Sequence, residues 1–213
     1  MPRRCRNWCV WALMAMPWAA PPAHAAQVLG VRVAREGERF LIEMRIRIAA
    51  PPLAVFHALQ DYPALPRYNP DLRAVRVEPT AVPGRVRLFT TVHTCVLIFC
   101  RTLRQEEIMM ATTHASGGVL EAKLLARGGS FKGGRGRWTV SACPTAPAAS
   151  CLDVRIELLP AFWIPPLIGP WVIRTKMEEE ARRTSAGLEE IARRRPGARG
   201  FHAVPPASGA ALD

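Results

Sequence analysis

The residues best placed to do chemistry are cysteines and acids. Beyond residue 25 the chain holds four cysteines, Cys95, Cys100, Cys143 and Cys151. Four cysteines permit three pairings. The spacing favours Cys95 with Cys100 and Cys143 with Cys151, because each pair flanks what reads as a hairpin loop; free buried thiols are the alternative. A zinc site is disfavoured, since there is no Cys-x-x-Cys and the nearest histidine, His93, precedes Cys95 on the same strand. Glu106 and Glu107 are adjacent on a strand and so point to opposite faces, which leaves no carboxylate pair there. Glu178-Glu179-Glu180 reads as the solvated face of a helix near its start, where negative charge is favoured.

Nucleophilic catalysis needs a nucleophile, a base and a group that orients the base. Ser116, Ser130 and Ser141 lie in no Gly-x-Ser-x-Gly context, and His57, His93, His114 and His202 share no metal spacing. His93 is the histidine best placed to turn a polar group toward a cavity, the alternative being an outward, hydrogen-bonded ring. The run 127–137 is rich in glycine, arginine and lysine, but lacks the Gly-Lys-Ser/Thr ending of a phosphate loop. Its arginine, glycine and aromatic interleaving is a pattern of flexible RNA-binding segments. Because it runs straight into a strand at Trp138, a glycine-rich loop between strands is expected instead, with basic side chains free to meet lipid headgroups. No catalytic residue, metal, cofactor or nucleic-acid partner is therefore expected.

The elements that must position these residues are strands for the most part. Between residues 27 and 48, Ile42, Met44, Ile46 and Ile48 face one way while Glu43, Arg45 and Arg47 face the other, the period-two mark of a half-buried strand. Pro52 opens a short helix, 53–60, with Val55, Phe56 and Leu59 as its apolar face. Asp61-Tyr62-Pro63 ends it, and a second short turn runs to Tyr68. Strand patterns follow at 72–78, 85–94, 101–112, 119–125, 136–142 and 152–159, with turn residues at Pro83-Gly84, Ser116-Gly117-Gly118 and 144–150. Short connections imply antiparallel neighbours. After the proline-rich apolar stretch 160–170, Ile173, Met177, Ala181, Thr184, Leu188 and Ile191 recur at helical spacing to about Arg194. A sheet and a helix with an apolar stripe must cover one another, so the expected fold is α+β: a curved antiparallel sheet of about seven strands around a long C-terminal helix.

The N-terminus places Arg3, Arg4 and Arg6 ahead of an apolar run, 8–18, followed by Pro21, Pro22 and Ala23-His24-Ala25. A basic start, a short apolar middle and small residues at the scissile position form an export signal. The run is broken by Pro17 and falls short of the ~20 residues that span a bilayer. Residues 1–25 are therefore expected to be a signal peptide cleaved near Ala25, leaving a periplasmic or secreted domain over 27–194 and a disordered basic tail over 195–213. Losing the signal's arginines lowers the net charge from +12 to +9, and an exported basic protein meets anionic lipid more often than nucleic acid. Two apolar loops, 96–99 and 162–168, then offer either a transient membrane contact or an inward cover.

The order of elements resembles the START/Bet v 1-like superfamily. The segment 56–70, Phe-His-Ala-Leu-Gln-Asp-Tyr-Pro-Ala-Leu-Pro-Arg-Tyr-Asn-Pro, is similar to the helix-helix segment of its polyketide cyclase/dehydrase and coenzyme Q-binding branch. The stretches 134–138 and 162–170 resemble exported bacterial members. The resemblance implies a helix-grip fold with a cavity between sheet and helix. Residues suited to line it are Phe56, Leu59, Tyr62 and Tyr68 near its mouth, and Leu88, Thr90, Val92 and His93 on one strand. Trp138, Val154 and Ile156 would line neighbouring strands; Phe162, Trp163, Ile173 and Met177 would come from the last loop and helix. The same side chains also suit a packed core. The implied function is an exported, monomeric carrier of a hydrophobic small molecule: a lipid, a quinone or a polyketide-like compound. A cyclase or dehydratase using the same cavity is one alternative, and an envelope protein-interaction module with a filled core is another.

Overall fold

Residues 27–48 form two strands, not the single one expected. In the computed structural model, β1 (Gln27–Glu36) and β2 (Arg39–Ile48) are an antiparallel hairpin in which Glu36 pairs directly with Arg39. Gly37 sits in the two-residue loop at a φ of +61°, a left-handed conformation that costs glycine nothing. The buried set changes from Val31 to Phe40 and Ile42 across this loop. That odd-to-even shift of phase is what pairing across a two-residue loop requires, and it was the missed sign of a turn. The residues described are 26–96, 99–127, 129–164 and 169–194. The expected signal, the expected tail and the tips of the two apolar loops lie outside them.

From β2 the chain passes through α1 (Pro52–Leu59) and a 3-10 helix (Tyr62–Arg67) to the far edge of the sheet. Pro52 stands in the first turn of α1, where its missing N–H costs no hydrogen bond. The chain then returns strand by strand: β3 (Leu72–Pro79), β4 (Arg85–Val96), β5 (Phe99–His114), β6 (Gly117–Leu124), β7 (Phe131–Cys143) and β8 (Ala146–Pro160). The sheet is antiparallel throughout, in the order β1-β2-β8-β7-β6-β5-β4-β3, so β8 closes against β2. Eight strands replace the expected seven because of the first hairpin.

Part of the glycine-rich run is strand, not loop: residues 131–137 belong to β7. The glycines fit the ladder for steric reasons. A Cβ on Gly134 would meet the Glu157 carbonyl oxygen at 2.5 Å, and one on Gly136 would meet the Trp138 indole at 2.5 Å. The stretch 144–150 is likewise mostly strand, with a turn only at Pro144-Thr145. Both expected disulfides, Cys95–Cys100 and Cys143–Cys151, are formed, each bridging neighbouring strands.

The C-terminal helix α2 (Gly169–Arg194) packs on α1, β1 and β2. Ala181, Ser185, Leu188 and Ala192 make its buried stripe. Two acids join that side of the helix. Glu189 is 5% exposed; it accepts the Ala49 N–H at 3.1 Å and pairs with Arg193 at 2.5 Å. Glu180 is also turned inward, contrary to the solvated acidic face expected at 178–180, because Asn69 comes within 2.6 Å of its carboxylate. Among the described residues no helix is long and apolar enough to cross a membrane.

Candidate functional site

The register of the ladders decides which side chains share the concave face. Val86, Leu88 and Thr90 of β4 pair with Met109, Glu107 and Gln105 of β5. Glu107, Met109 and Ala111 pair in turn with Leu124, Ala122 and Leu120 of β6. The row continues through Trp138 and Gly136 of β7 to Val154 and Ile156 of β8, and then to Met44 and Ile42 of β2. The face is therefore apolar along most of its width, with Thr90, Gln105 and Glu107 grouped in its β4–β5 part.

One end of this face is filled. Phe56, fully buried, lays its ring on Gly118, where a Cβ would stand 2.4 Å from it. Around it pack Val55, Ile48, Leu120, Val140 and Leu152, all 3% exposed or less. α1 is thus a plug over β6, β7 and β8. Away from the plug the side chains keep accessible surface although sheet and helix flank them. Met44, Leu103, Gln105, Trp138, Ile156, Leu158, Ile173 and Met177 are all only half-buried.

Glu107 is the acid on the concave face. It is enclosed by protein, and burial pushes its carboxyl up to about 7. It makes no hydrogen bond or ion pair with the described residues, whereas its neighbour Glu106 faces outward toward Arg87 at 3.6 Å. Tyr62, at the start of the 3-10 helix, is buried: burial first, and then the charge of Glu107, push its phenol above the usual range. Thr90 donates a long hydrogen bond to Gln105 at 3.4 Å. Tyr68 packs its Cβ on Gly187 of α2, and its buried hydroxyl has no hydrogen-bond partner among the described residues. Burial, and next the charge of Asp61, raise that phenol too. The buried Thr184 hydroxyl on α2 is also without a partner.

A polar strap closes the helix side. Lys176 lies 2.8 Å from Asp71 and 3.6 Å from Glu179, and Asn69 donates to Glu180. Burial is the main cause that raises the Glu180 carboxyl above the ordinary glutamate range.

Of the expected site residues, the structure brings together Tyr62, Leu88, Thr90, Trp138, Val154 and Ile156 on or against the concave face. Val92 shares the face of Thr90, and Leu59 is partly buried against the core. Phe56 belongs to the plug, Tyr68 to the helix contact, and Ile173 and Met177 to the first turns of α2. Phe162 is half-buried between Phe131, at 6.3 Å between ring centres, and the guanidinium of Arg101. Trp163 is 77% exposed. His93 lies on the opposite face from Thr90, its Nδ1 3.0 Å from the Thr102 hydroxyl and its Nε2 3.8 Å from Cys95. His93, Cys95 and Cys100 converge there, but both sulfurs are in the disulfide. On the outer face, an open groove of about 540 Å³ runs past Arg39, Lys123, Lys132 and Arg135. Glu157 sits within it, 2.8 Å from Arg39 and 2.5 Å from Arg135, so the groove is an ion-paired surface.

Glu107, Gln105 and Glu180 were missed by sequence reasoning. A signal for Glu107 existed, since strand alternation puts it in phase with Leu103 and Met109. It was masked because Ile108 and Met110 make the other phase equally apolar.

A curved antiparallel sheet that grips a long C-terminal helix, with two short helices set in after the first hairpin, defines the START/Bet v 1-like fold, and this chain has that fold. No family model and no curated protein matches the sequence. Solved structures do match. An aromatase/cyclase, Zhui from Streptomyces sp. R1128, is 15% identical with a TM-score of 0.57, over 76% of this chain and 99% of its own. A STAR-related lipid transfer protein from Xanthomonas axonopodis is 14% identical with a TM-score of 0.54, over 77% and 99%. Human STARD10 is 7% identical with a TM-score of 0.52, over 78% and 74%. At such identities the likeness is one of fold.

Proposed function

We propose that this protein is an exported carrier of a hydrophobic small molecule, a lipid, quinone or polyketide-like compound, held between the concave sheet face and α2. The observation that carries the reading is the row of half-buried apolar side chains, among them Met44, Trp138 and Ile156, on a face that α1 plugs at one end only. Apolar walls with few polar groups are what small-molecule sites use. The fold shared with a lipid transfer protein supports the same reading. The proposal includes cleavage of residues 1–25, for which the two disulfides are fitting companions, and a brief membrane contact through exposed Trp163 and Trp171.

The test is native mass spectrometry of the protein from an exporting host, followed by solvent extraction. A bound lipid or quinone in fixed ratio, on a chain that starts at Ala26, supports the carrier. A bare chain that takes up no fluorescent fatty acid or quinone points instead to an envelope interaction module. The second reading, a cyclase or dehydratase, is favoured by Glu107, since a carboxyl near neutrality serves as acid or base. Turnover of a polyketone substrate that is lost in Glu107→Gln would move the assignment to an enzyme.

A further inference from the structure

We propose that the Cys95–Cys100 bond is a thiol–disulfide exchange site: a small external thiol attacks Cys100, and Cys95 leaves as a thiolate that His93 holds. This site is separate from the space between sheet and helix, and it stands whether or not that space carries a ligand.

Two disulfides cross-link the sheet, and their surroundings differ. Cys143 is 2% exposed and Cys151 half-buried, whereas Cys95 and Cys100 are both exposed. Cys95 stands directly opposite Cys100 in the β4–β5 ladder, and His93 stands opposite Thr102. Residues two apart on a strand share a face, so the imidazole and the disulfide lie on the same side of the sheet. The ring is held there at both nitrogens: Nδ1 is 3.0 Å from the Thr102 hydroxyl and Nε2 is 3.8 Å from Cys95 Sγ. One ring nitrogen and both sulfurs lie within 4.8 Å of one another. Among the described residues, no histidine nitrogen or carboxylate oxygen gathers in this way around the sulfurs of Cys143 and Cys151.

That arrangement decides which sulfur is attacked. Exchange is faster when the departing thiol is the more acidic of the two, and a histidine cation beside a cysteine makes it more acidic. The imidazole contact is to Cys95, so Cys95 is the better leaving group and Cys100 the electrophile. The external thiol gives up its proton, which goes to His93 Nε2, and its sulfur bonds to Cys100 Sγ. The Cys95–Cys100 bond breaks with its electron pair on Cys95, which ends as a thiolate against the imidazolium. A second external thiol then displaces Cys100 from the mixed disulfide, and its proton passes to the Cys100 sulfur. Two external thiols are oxidised to a disulfide, and the protein pair is reduced.

The experiment treats the protein, with both disulfides formed, with glutathione, quenches in acid and locates the adducts by peptide mass spectrometry. The adduct is expected on Cys100 with Cys95 free, and Cys143–Cys151 is expected to open roughly tenfold more slowly. His93→Phe should slow opening of Cys95–Cys100 roughly three- to tenfold and spread the adduct over both of its cysteines. His93→Gln keeps a polar group beside Thr102 but cannot hold the proton, so it should do the same, and it serves as the test if His93→Phe does not fold. Movement of the adduct between the two sulfurs is the deciding readout, because a purely structural role for the ring would not produce it. An adduct mainly on Cys95 of the parent overturns the proposal. So do equal rates for the two disulfides, or an adduct position and rate that match the parent's in the folded variant.

Discussion

The guanidinium of Arg101 lies 4.0 Å over the ring of Phe162, and that stack ties the β4–β5 hairpin to residues 161–164, a second strap that follows β8. Arg35 binds the same strap through the Ile164 carbonyl oxygen at 3.1 Å. The consequence is spatial. The Cys95–Cys100 hairpin and the strap, far apart in sequence, share one end of the molecule, where Trp163 is 77% and Trp171 63% exposed. Tryptophan beside arginine is the chemistry of a membrane interface.

If that end touches lipid, the double variant Trp163→Ala, Trp171→Ala will bind phosphatidylglycerol-containing vesicles at least several-fold more weakly in a flotation assay. Its urea midpoint should not move, because neither indole is buried. Vesicle binding equal to the parent's would remove the membrane contact from the proposal.

The plug gives the clearest stability test. Phe56→Ala deletes a fully buried ring and should cost about 3–5 kcal/mol in urea unfolding. Gly118→Ala should also destabilise, since its methyl would stand 2.4 Å from the same ring. A loss below 1 kcal/mol in Phe56→Ala would mean that α1 does not close the core as described.

Glu107 predicts a dependence of stability on pH. In the folded chain its carboxyl holds its proton up to about pH 7, while an ordinary glutamate of the unfolded chain releases it near 4.5. The folded state therefore binds more protons between these values, and stability falls as the pH rises through them. The whole effect is on the order of 3 kcal/mol. Glu107→Gln should remove it, so that the variant is more stable than the parent at pH 8 and about equal to it at pH 4. Parallel stability curves for the two proteins would show that Glu107 is solvated.

The strap between Asp71 and Lys176 joins the start of β3 to α2, with both side chains mostly covered. A double-mutant cycle on Asp71→Asn and Lys176→Met should return a coupling of about 1 kcal/mol, above what exposed pairs usually give. A coupling near zero would leave the Asn69–Glu180 bond as the main tie on this side of the helix.

Both disulfides predict that Cys95, Cys100, Cys143 and Cys151 carry no free thiol under denaturing, non-reducing conditions. Breaking them with reductant should lower stability by about 2–4 kcal/mol for each bond. A count of four free thiols with an unchanged urea midpoint would contradict the pairing.

Local structure and the cross-links were legible in the order of residues along the chain. Period-two patterns marked most strands, the stripe through Ala181 and Leu188 marked α2, and the placing of the cysteines about two turns marked their pairs. These are properties of neighbours in the chain, which the pleat and the helical repeat translate directly into faces. Which face of each strand lies inside was settled by long-range packing instead. Phe89 is apolar yet lies outward under Arg76, at 4.0 Å, while Glu107 is an acid yet lies inward. Along β5 both phases are partly apolar, so alternation leaves the choice open until β4 and β6 pair with it. Gly134 and Gly136 look like a loop until β8 and the Trp138 indole occupy the space that their side chains would have filled. Glu180 looks solvated until Asn69, more than a hundred residues away, comes to bind it. The site is made of such long-range pairings, and Glu107 is turned inward by the pairing register of strands that hydropathy alone could not orient.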